Sequence, residues 1–122
     1  MKIESYRDLV VWQKGVRLAV ECHRLAKALP KSEEFRLASQ LIRAAASIPA
    51  NIAEGHARGT RKDYANFVNI ARGSLAETET FLILVVEIGL LKAEDTKAAF
   101  GLCDEVGRML TALVARLREP PP

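Results

Sequence analysis

The chain has 122 residues, of which 49% are hydrophobic and 27% charged, so it is long enough for one sizeable core and too apolar for a disordered segment. Its net charge of +3 is compatible with a polyanionic partner, or with a solvated surface that carries slightly more Lys and Arg than acid. No apolar run is long enough to span a membrane and residues 1–8 have no signal-peptide core, so we expect a cytoplasmic protein.

The first predicted helix covers about residues 6–29. Ser5 can cap it, with Asp8 at the capping-box position, and Pro30 ends it. The apolar residues fall on two nearly opposite faces, with Leu9, Trp12, Val16, Ala19, Val20 and Ala26 on one and Val11, Leu18, Cys22, Leu25 and Leu29 on the other. This surplus predicts either a wide core face or a subunit interface.

The second predicted helix covers about residues 33–55, with Ser32 as its cap. Pro49 lies inside it and cannot donate a backbone hydrogen bond, so we expect a kink in this helix. Its apolar face is rich in alanine, which allows neighbouring backbones to come close, and it consists of Phe35, Ala38, Leu41, Ile42, Ala45, Ile48 and Ile52.

Two more helices follow, over about residues 61–88 and 94–118. Thr60 can cap the third helix, and Gly73 within it suggests a close backbone contact, because glycine otherwise destabilises a helix interior. The fourth helix has a single apolar stripe. Four helices with short connections predict one all-α domain over residues 1–122, an antiparallel up-down-up-down four-helix bundle.

The sequence has no pattern that predicts catalysis or metal binding. Cys22 and Cys103 are far apart and lie in apolar helical patterns, which indicates buried thiols rather than a disulfide. His23 and His56 have no further ligand at a suitable offset, and no phosphate-binding glycine loop is present. We therefore expect no enzyme activity, no metal and no cofactor.

Polar residues recur along one side of the second helix and near the middle of the third. If these sides face each other or a second subunit, their residues can form a hydrogen-bonded, charge-paired network that fixes helix register. The alternative is an ordinary solvated face. The predicted structural network consists of Arg43, Ser47, Asn51, Glu54, Ser74 and Glu77.

Two groups of basic residues are candidates for contact with an anion. One flanks the start of the third helix, whose free N–H groups and dipole attract phosphate. The other lies on the polar side of the first helix. The candidate nucleic-acid-binding residues are Arg58, Arg61 and Lys62, with Arg72 further along the third helix, and Lys14 and Arg17 on the first. The alternative is that these side chains are only solvated.

Several ordered motifs resemble those of one known family. They are YRDLVVWQK at 6–14, RAAASIPANIAEG at 43–55, Gly73-Ser74-Leu75 with Glu77, and the Ile88-Gly89-Leu90-Leu91 break. The chain resembles the four-helix bundle proteins that are encoded in intervening sequences of bacterial large-subunit ribosomal RNA genes. The resemblance covers nearly the whole chain.

The resemblance implies a homopentameric ring. It also implies similarity to the accessory proteins of diversity-generating retroelements, which bind a reverse transcriptase and nucleic acid. No catalytic residues are established for the intervening-sequence family. The sequence therefore predicts a non-enzymatic, oligomeric binding or scaffold protein, with RNA or an RNA-associated protein as partner. The alternative is a purely protein-binding assembly module without nucleic-acid affinity.

Overall fold

A computed structural model describes residues 2–120, which form four α-helices and no strand. The helices are α1 (Val10–Lys27), α2 (Ser39–Ala57), α3 (Arg61–Glu87) and α4 (Lys97–Arg118). Each helix packs on two neighbours, α1 on α2 and α4, and α3 on α2 and α4. The predicted all-α, up-down-up-down four-helix bundle is confirmed.

The predicted capping box at Ser5 is present, but it begins a short 3₁₀ turn instead of α1. The Ser5 hydroxyl accepts from the Arg7 N–H at 3.1 Å, and the Asp8 carboxylate accepts from the Ser5 N–H at 3.1 Å. Leu9 is then extended, with ψ of 123°, so that α1 begins only at Val10. The Asp8 carboxylate also accepts from the Glu4 N–H at 2.9 Å, and the bonds from Glu4 and Ser5 lower the pKa of Asp8, because they stabilise its charged form.

The start of the second helical segment differs from the prediction. Ser32 makes no cap; it lies in a 3₁₀ turn at Lys31–Glu33, which a π-helical turn at Glu34–Ala38 follows. Arg36 has non-helical angles there, with φ of −115° and ψ of −110°. This break takes Phe35 out of phase with α2, and the side chain is 88% exposed instead of packed in the core.

A non-helical break in the second segment lies at Arg36, and α2 continues through Pro49 as one helix. Pro49 is buried and packs close to α1, since a Cβ at Gly15 would lie 3.5 Å from Pro49 Cβ. An interior proline removes one backbone hydrogen bond but does not by itself end a helix whose apolar face is well packed.

The cap of α3 is as predicted. The Thr60 hydroxyl accepts from the Asp63 N–H at 3.1 Å. Gly59 supplies the left-handed turn between α2 and α3, with φ of +89°, and Gly89 does the same after α3, with φ of +90°. A 3₁₀ turn at Ala93–Thr96 leads into α4.

The core is a continuous cluster of aliphatic side chains from all four helices. On α1 the face of Leu18 packs in the core, whereas the other apolar face is divided, with Ala26 buried and Val20 65% exposed. Side chains less than 2% exposed include Leu18, Leu25, Leu41, Ile48, Ile52, Val68, Leu82, Val85, Val106 and Leu110.

One glycine, and not the predicted one, marks a close helix contact. A Cβ at Gly55 would lie 2.8 Å from Phe67 Cβ and 3.2 Å from the Tyr64 carbonyl oxygen, so α2 and α3 meet there almost backbone to backbone. By contrast, no atom of residues 2–120 lies within 4 Å of a Cβ placed at Gly73. The predicted contact at Gly73 is thus absent within residues 2–120.

Candidate functional site

Basic side chains gather at the end of the bundle where α2 ends, α3 begins and α4 ends. The Arg61 guanidinium donates to two carbonyl oxygens of the last turn of α4, those of Arg116 at 2.5 Å and Glu119 at 3.4 Å. This bond holds the end of α4 against the α2–α3 turn. We define the basic end as Arg58, Arg61, Lys62, Arg116 and Arg118, all of which are exposed.

Part of this charge already has a partner within the chain. Arg58 is ion-paired with Glu54, Nε to Oε2 at 3.2 Å, and its guanidinium lies 4.8 Å from the centre of the Phe67 ring. Lys62 belongs to none of the ion pairs formed within residues 2–120. Lys62 therefore presents its charge most directly to solvent, since Arg58 is paired with Glu54 and Arg61 donates to the end of α4.

A shallow cleft of about 230 Å³ opens beside this turn, lined by Gly55, His56, Gly59, Thr60, Arg61 and Tyr64. The rings of His56 and Tyr64 meet edge to face, with centres 5.6 Å apart. Burial raises the pKa of Tyr64, because the charged phenolate is disfavoured there. The phenol, which is already neutral around pH 7 at its ordinary pKa, therefore stays protonated to higher pH.

The other predicted basic residues lie elsewhere. The Lys14 ammonium is 2.5 Å from the Glu105 carboxylate of α4, and it lowers the pKa of Glu105 through a hydrogen bond and its charge. Arg17 is exposed beside this pair. Arg72 donates to Asn69 at 3.2 Å and lines a groove between α3 and α4. Lys14 is thus paired with a residue of α4, and Arg17 lies near that pair. Neither of them, nor Arg72, lies at the basic end.

Three of the predicted polar-network residues connect α2 with α3. Asn51 Nδ2 donates to the Ser47 carbonyl oxygen at 2.8 Å and to Ser47 Oγ at 2.9 Å. Ser74 Oγ, which is buried, donates to the same Ser47 Oγ at 2.9 Å. Thr78, which the sequence analysis missed, donates to the Ser74 carbonyl oxygen at 2.8 Å. Ser47 is therefore the centre of the contact.

The remaining three predicted members lie outside this cluster. Glu54 is paired with Arg58. Arg43 and Glu77 line a small cleft with Ser47, but neither belongs to an ion pair formed within residues 2–120. Both are exposed, so the charged part of the predicted network is a solvated surface.

Both cysteines are free and buried, as predicted, and burial raises the pKa of each thiol to about 12. A protonated, buried thiol is a poor nucleophile and a poor metal ligand.

Residues 2–120 contain no group of three or more His, Cys, Asp or Glu side chains that could hold a metal ion. Nor does any helix in that range have the length and apolar character needed to cross a bilayer.

The outer face of α1 carries exposed apolar side chains. Val16, Ala19 and Val20 line an apolar groove of about 300 Å³ against α2, and Val20 is 65% exposed. We call this the α1–α2 groove; it is lined by Val16, Ala19, Val20, His23, Ile42, Ala46 and Pro49. Large apolar side chains on α3 are also exposed, among them Ile70, Ile83, Leu84 and Ile88.

These observations define a four-helix bundle protein with a basic end and an apolar groove. The family model for 23S rRNA-intervening sequence proteins matches residues 7–112. The chain therefore belongs to the 23S rRNA-intervening sequence protein family, and the resemblance noted from its motifs is confirmed.

A solved structure agrees with this assignment. A protein of unknown function from the S23 ribosomal protein family of Bacteroides thetaiotaomicron is 30% identical to this chain, with a TM-score of 0.80. The alignment covers 86% of this chain and 98% of that protein. No curated protein matches this chain.

Proposed function

We propose that this protein is a non-enzymatic, self-associating scaffold that binds structured RNA through its basic end. The observation that carries the proposal is the arrangement of Arg58, Lys62 and the end of α4 around the start of α3. Guanidinium and ammonium groups beside a helix N-terminus suit phosphate, because the side chains and the helix dipole attract the same anion. The family description, which names an intervening sequence of 23S rRNA, makes structured RNA the first partner to test.

Self-association would strengthen RNA binding, because the positive charge at the basic end of one copy is small. The net charge of one chain is only +3, and Arg58 is partly neutralised by Glu54. In a ring the basic end would be repeated around the axis, so that one RNA could contact several copies at a high effective concentration. Five copies is the number that the family resemblance implies, and the cytoplasm is the compartment that we propose.

A second candidate function is a protein-binding assembly module without nucleic-acid affinity. It is supported by the pairing of basic residues within the chain, Arg58 with Glu54 and Lys14 with Glu105. In that case the partner would be a protein, such as a reverse-transcriptase-like protein that itself carries RNA. The two functions differ in whether the purified protein alone binds RNA.

The test is the anisotropy of a labelled, structured RNA titrated with the protein across a salt series. The logarithm of the association constant should fall linearly with the logarithm of the salt concentration, by about 0.7–0.9 for each phosphate contact. The double variant Arg58→Gln/Lys62→Gln should lose affinity at low salt and flatten this slope by up to about 2 for each copy engaged.

The matched control is Lys31→Gln/Lys97→Gln, which removes the same charge from exposed residues at the opposite end of the bundle. It should leave the slope within error of the unmodified protein. Equal losses of affinity in the two double variants would mean that RNA binding depends on the overall charge of the protein and not on the basic end. No binding at low salt would exclude the RNA function and leave the protein-binding module.

A further inference from the structure

A cavity of about 420 Å³ lies where α1 ends and the π-helical turn leads into α2. We call it the junction cavity. Its apolar wall includes Ala26, Leu29, Ala38 and Ile42, of which the first three are buried. The volume is typical of small-molecule sites, which are concave, largely apolar and provided with a few polar groups. A π-helical turn is rare in proteins and frequently lies at a functional site.

The junction cavity adjoins the α1–α2 groove. His23 and Ile42 line both spaces, so the two form one continuous trough along α1. Apart from His23, the lining of the groove is apolar. The trough extends along α1 from Val16 to Lys27, a distance of about 16 Å at the rise of an α-helix. A space of this length and composition suits an unbranched hydrocarbon chain.

The charged groups of the trough are gathered in the junction cavity. Lys27 and Lys31 line it, and Glu34 is the acid in the same lining. None of these three residues belongs to an ion pair formed within residues 2–120. Two ammonium groups against one carboxylate leave this end of the trough positive, whereas the other end is apolar. The charge and the apolar surface together therefore match a ligand with an anionic head and an apolar tail.

We propose that the trough binds an amphipathic monocarboxylate, of which a free fatty acid of medium chain length is the simplest example. The hydrocarbon chain lies in the α1–α2 groove against Val20 and Ala46, where its methylene groups leave water. The carboxylate lies in the junction cavity, where the ammonium groups of Lys27 and Lys31 donate charge-assisted hydrogen bonds to it. Because this site is at the opposite end of the bundle from the basic end, it does not depend on the proposed function.

Isothermal titration calorimetry near neutral pH tests the proposal with three probes: decanoate, decanol and octanoate. Decanoate should bind saturably. Decanol has the same number of carbons without the negative charge, so it should bind more weakly. Octanoate is shorter by two methylene groups and should bind up to roughly fifteenfold more weakly, since each buried methylene contributes a factor of roughly four.

The double variant Lys27→Gln/Lys31→Gln tests the anionic head. It should weaken decanoate binding by roughly twofold to thirtyfold, the range expected for two exposed ion pairs, and leave decanol binding unchanged. The matched control is Lys92→Gln/Lys97→Gln, which removes the same charge from exposed residues at the same end of the bundle that line neither space. It should leave both affinities unchanged.

The variant Ala46→Phe tests the apolar tail. Ala46 is exposed, so the bundle should keep its helical circular dichroism, but the added ring fills the groove. Saturable binding of both decanoate and decanol should be lost. Ala112→Phe adds the same ring to an exposed residue in the groove between α3 and α4, and it should keep the affinity of the unmodified protein.

Four results would overturn the proposal. They are the absence of saturable decanoate binding, decanol binding as tight as that of decanoate, full affinity for decanoate in Lys27→Gln/Lys31→Gln or Ala46→Phe, and an equal loss in either matched control. Failure of the RNA titration would leave the carboxylate site standing, and failure of the decanoate titration would leave the RNA function standing.

Discussion

Replacement of Gly55 by alanine tests the close approach of α2 to α3. The added Cβ would lie 2.8 Å from Phe67 Cβ and 3.2 Å from the Tyr64 carbonyl oxygen. Neither atom can move by rotation of a side chain, because one is bonded directly to the Phe67 backbone and the other belongs to the Tyr64 backbone. The two helices must separate instead, and overpacking of this kind costs about 1–3 kcal/mol.

The helix itself partly compensates, since alanine is more favourable than glycine in a helix by about 1 kcal/mol. We therefore expect Gly55→Ala to lower the free energy of unfolding by up to about 2 kcal/mol, which corresponds to at most roughly 10 °C in melting temperature for a domain of this size. Urea unfolding followed by circular dichroism, at one fixed protein concentration, measures this change.

Gly101 is the matched control. It is exposed in α4, and no atom of residues 2–120 lies within 4 Å of the position of an added Cβ. Gly101→Ala should therefore stabilise the protein by up to about 1 kcal/mol. If Gly55→Ala stabilised the protein as much as Gly101→Ala does, the close contact of α2 and α3 at Gly55 would be refuted.

Three further predictions concern the polar contacts and the thiols. Ser74→Ala removes the donor to Ser47 Oγ and should destabilise the protein by about 1 kcal/mol in urea unfolding. Thr60→Ala removes the cap of α3 and should cost about 0.5–2 kcal/mol in the same measurement. Cys22 and Cys103, whose pKa values are raised to about 12, should stay unmodified by a thiol-specific reagent at pH 8 until the protein unfolds. Because these values exceed the 9.0 of an ordinary thiol, their contribution to stability is complete below pH 9 and is lost as pH rises toward 12.

The two substitutions each have a control in the chain. Thr80→Ala loses only a bond from its exposed hydroxyl to the Ala76 carbonyl within α3, and it should change stability by less than about 0.5 kcal/mol. Thr111→Ala, exposed on α4 and away from any helix start, should not destabilise the protein as Thr60→Ala does. Rapid modification of the folded protein at pH 8 would contradict the burial of the thiols.

The helices and the Thr60 cap were accessible from the sequence because their signals are local. The Thr60 hydroxyl acts on the backbone within a few residues and lies where predicted, whereas the predicted Ser32 cap does not form. The π-helical turn near Arg36 was not accessible, since Phe35 fits the apolar phase of a regular helix. Only the packing of the chain around this turn decides that the ring points to solvent.

The candidate sites were less accessible, because they depend on distances between helices. The sequence showed two apolar faces on α1, but it could not show which one packs in the core; the structure takes Leu18 inward and leaves Val20 outside. It placed Gly73, not Gly55, at a close contact, because glycine in mid-helix gives the same local signal wherever the neighbouring helix lies. It also missed that Arg61 holds the end of α4, since that contact joins distant residues.

The order of the helices around the bundle has a kinetic consequence. Three of the four contacts between neighbouring helices join helices that follow each other along the chain, and only that of α1 with α4 joins distant segments. Proteins dominated by such local contacts fold in microseconds to milliseconds, because little loop entropy is lost before each contact forms. We expect the α1–α4 contact, and with it the pairing of Lys14 with Glu105, to form last. Substitutions at this seam should then speed unfolding and leave the folding rate nearly unchanged.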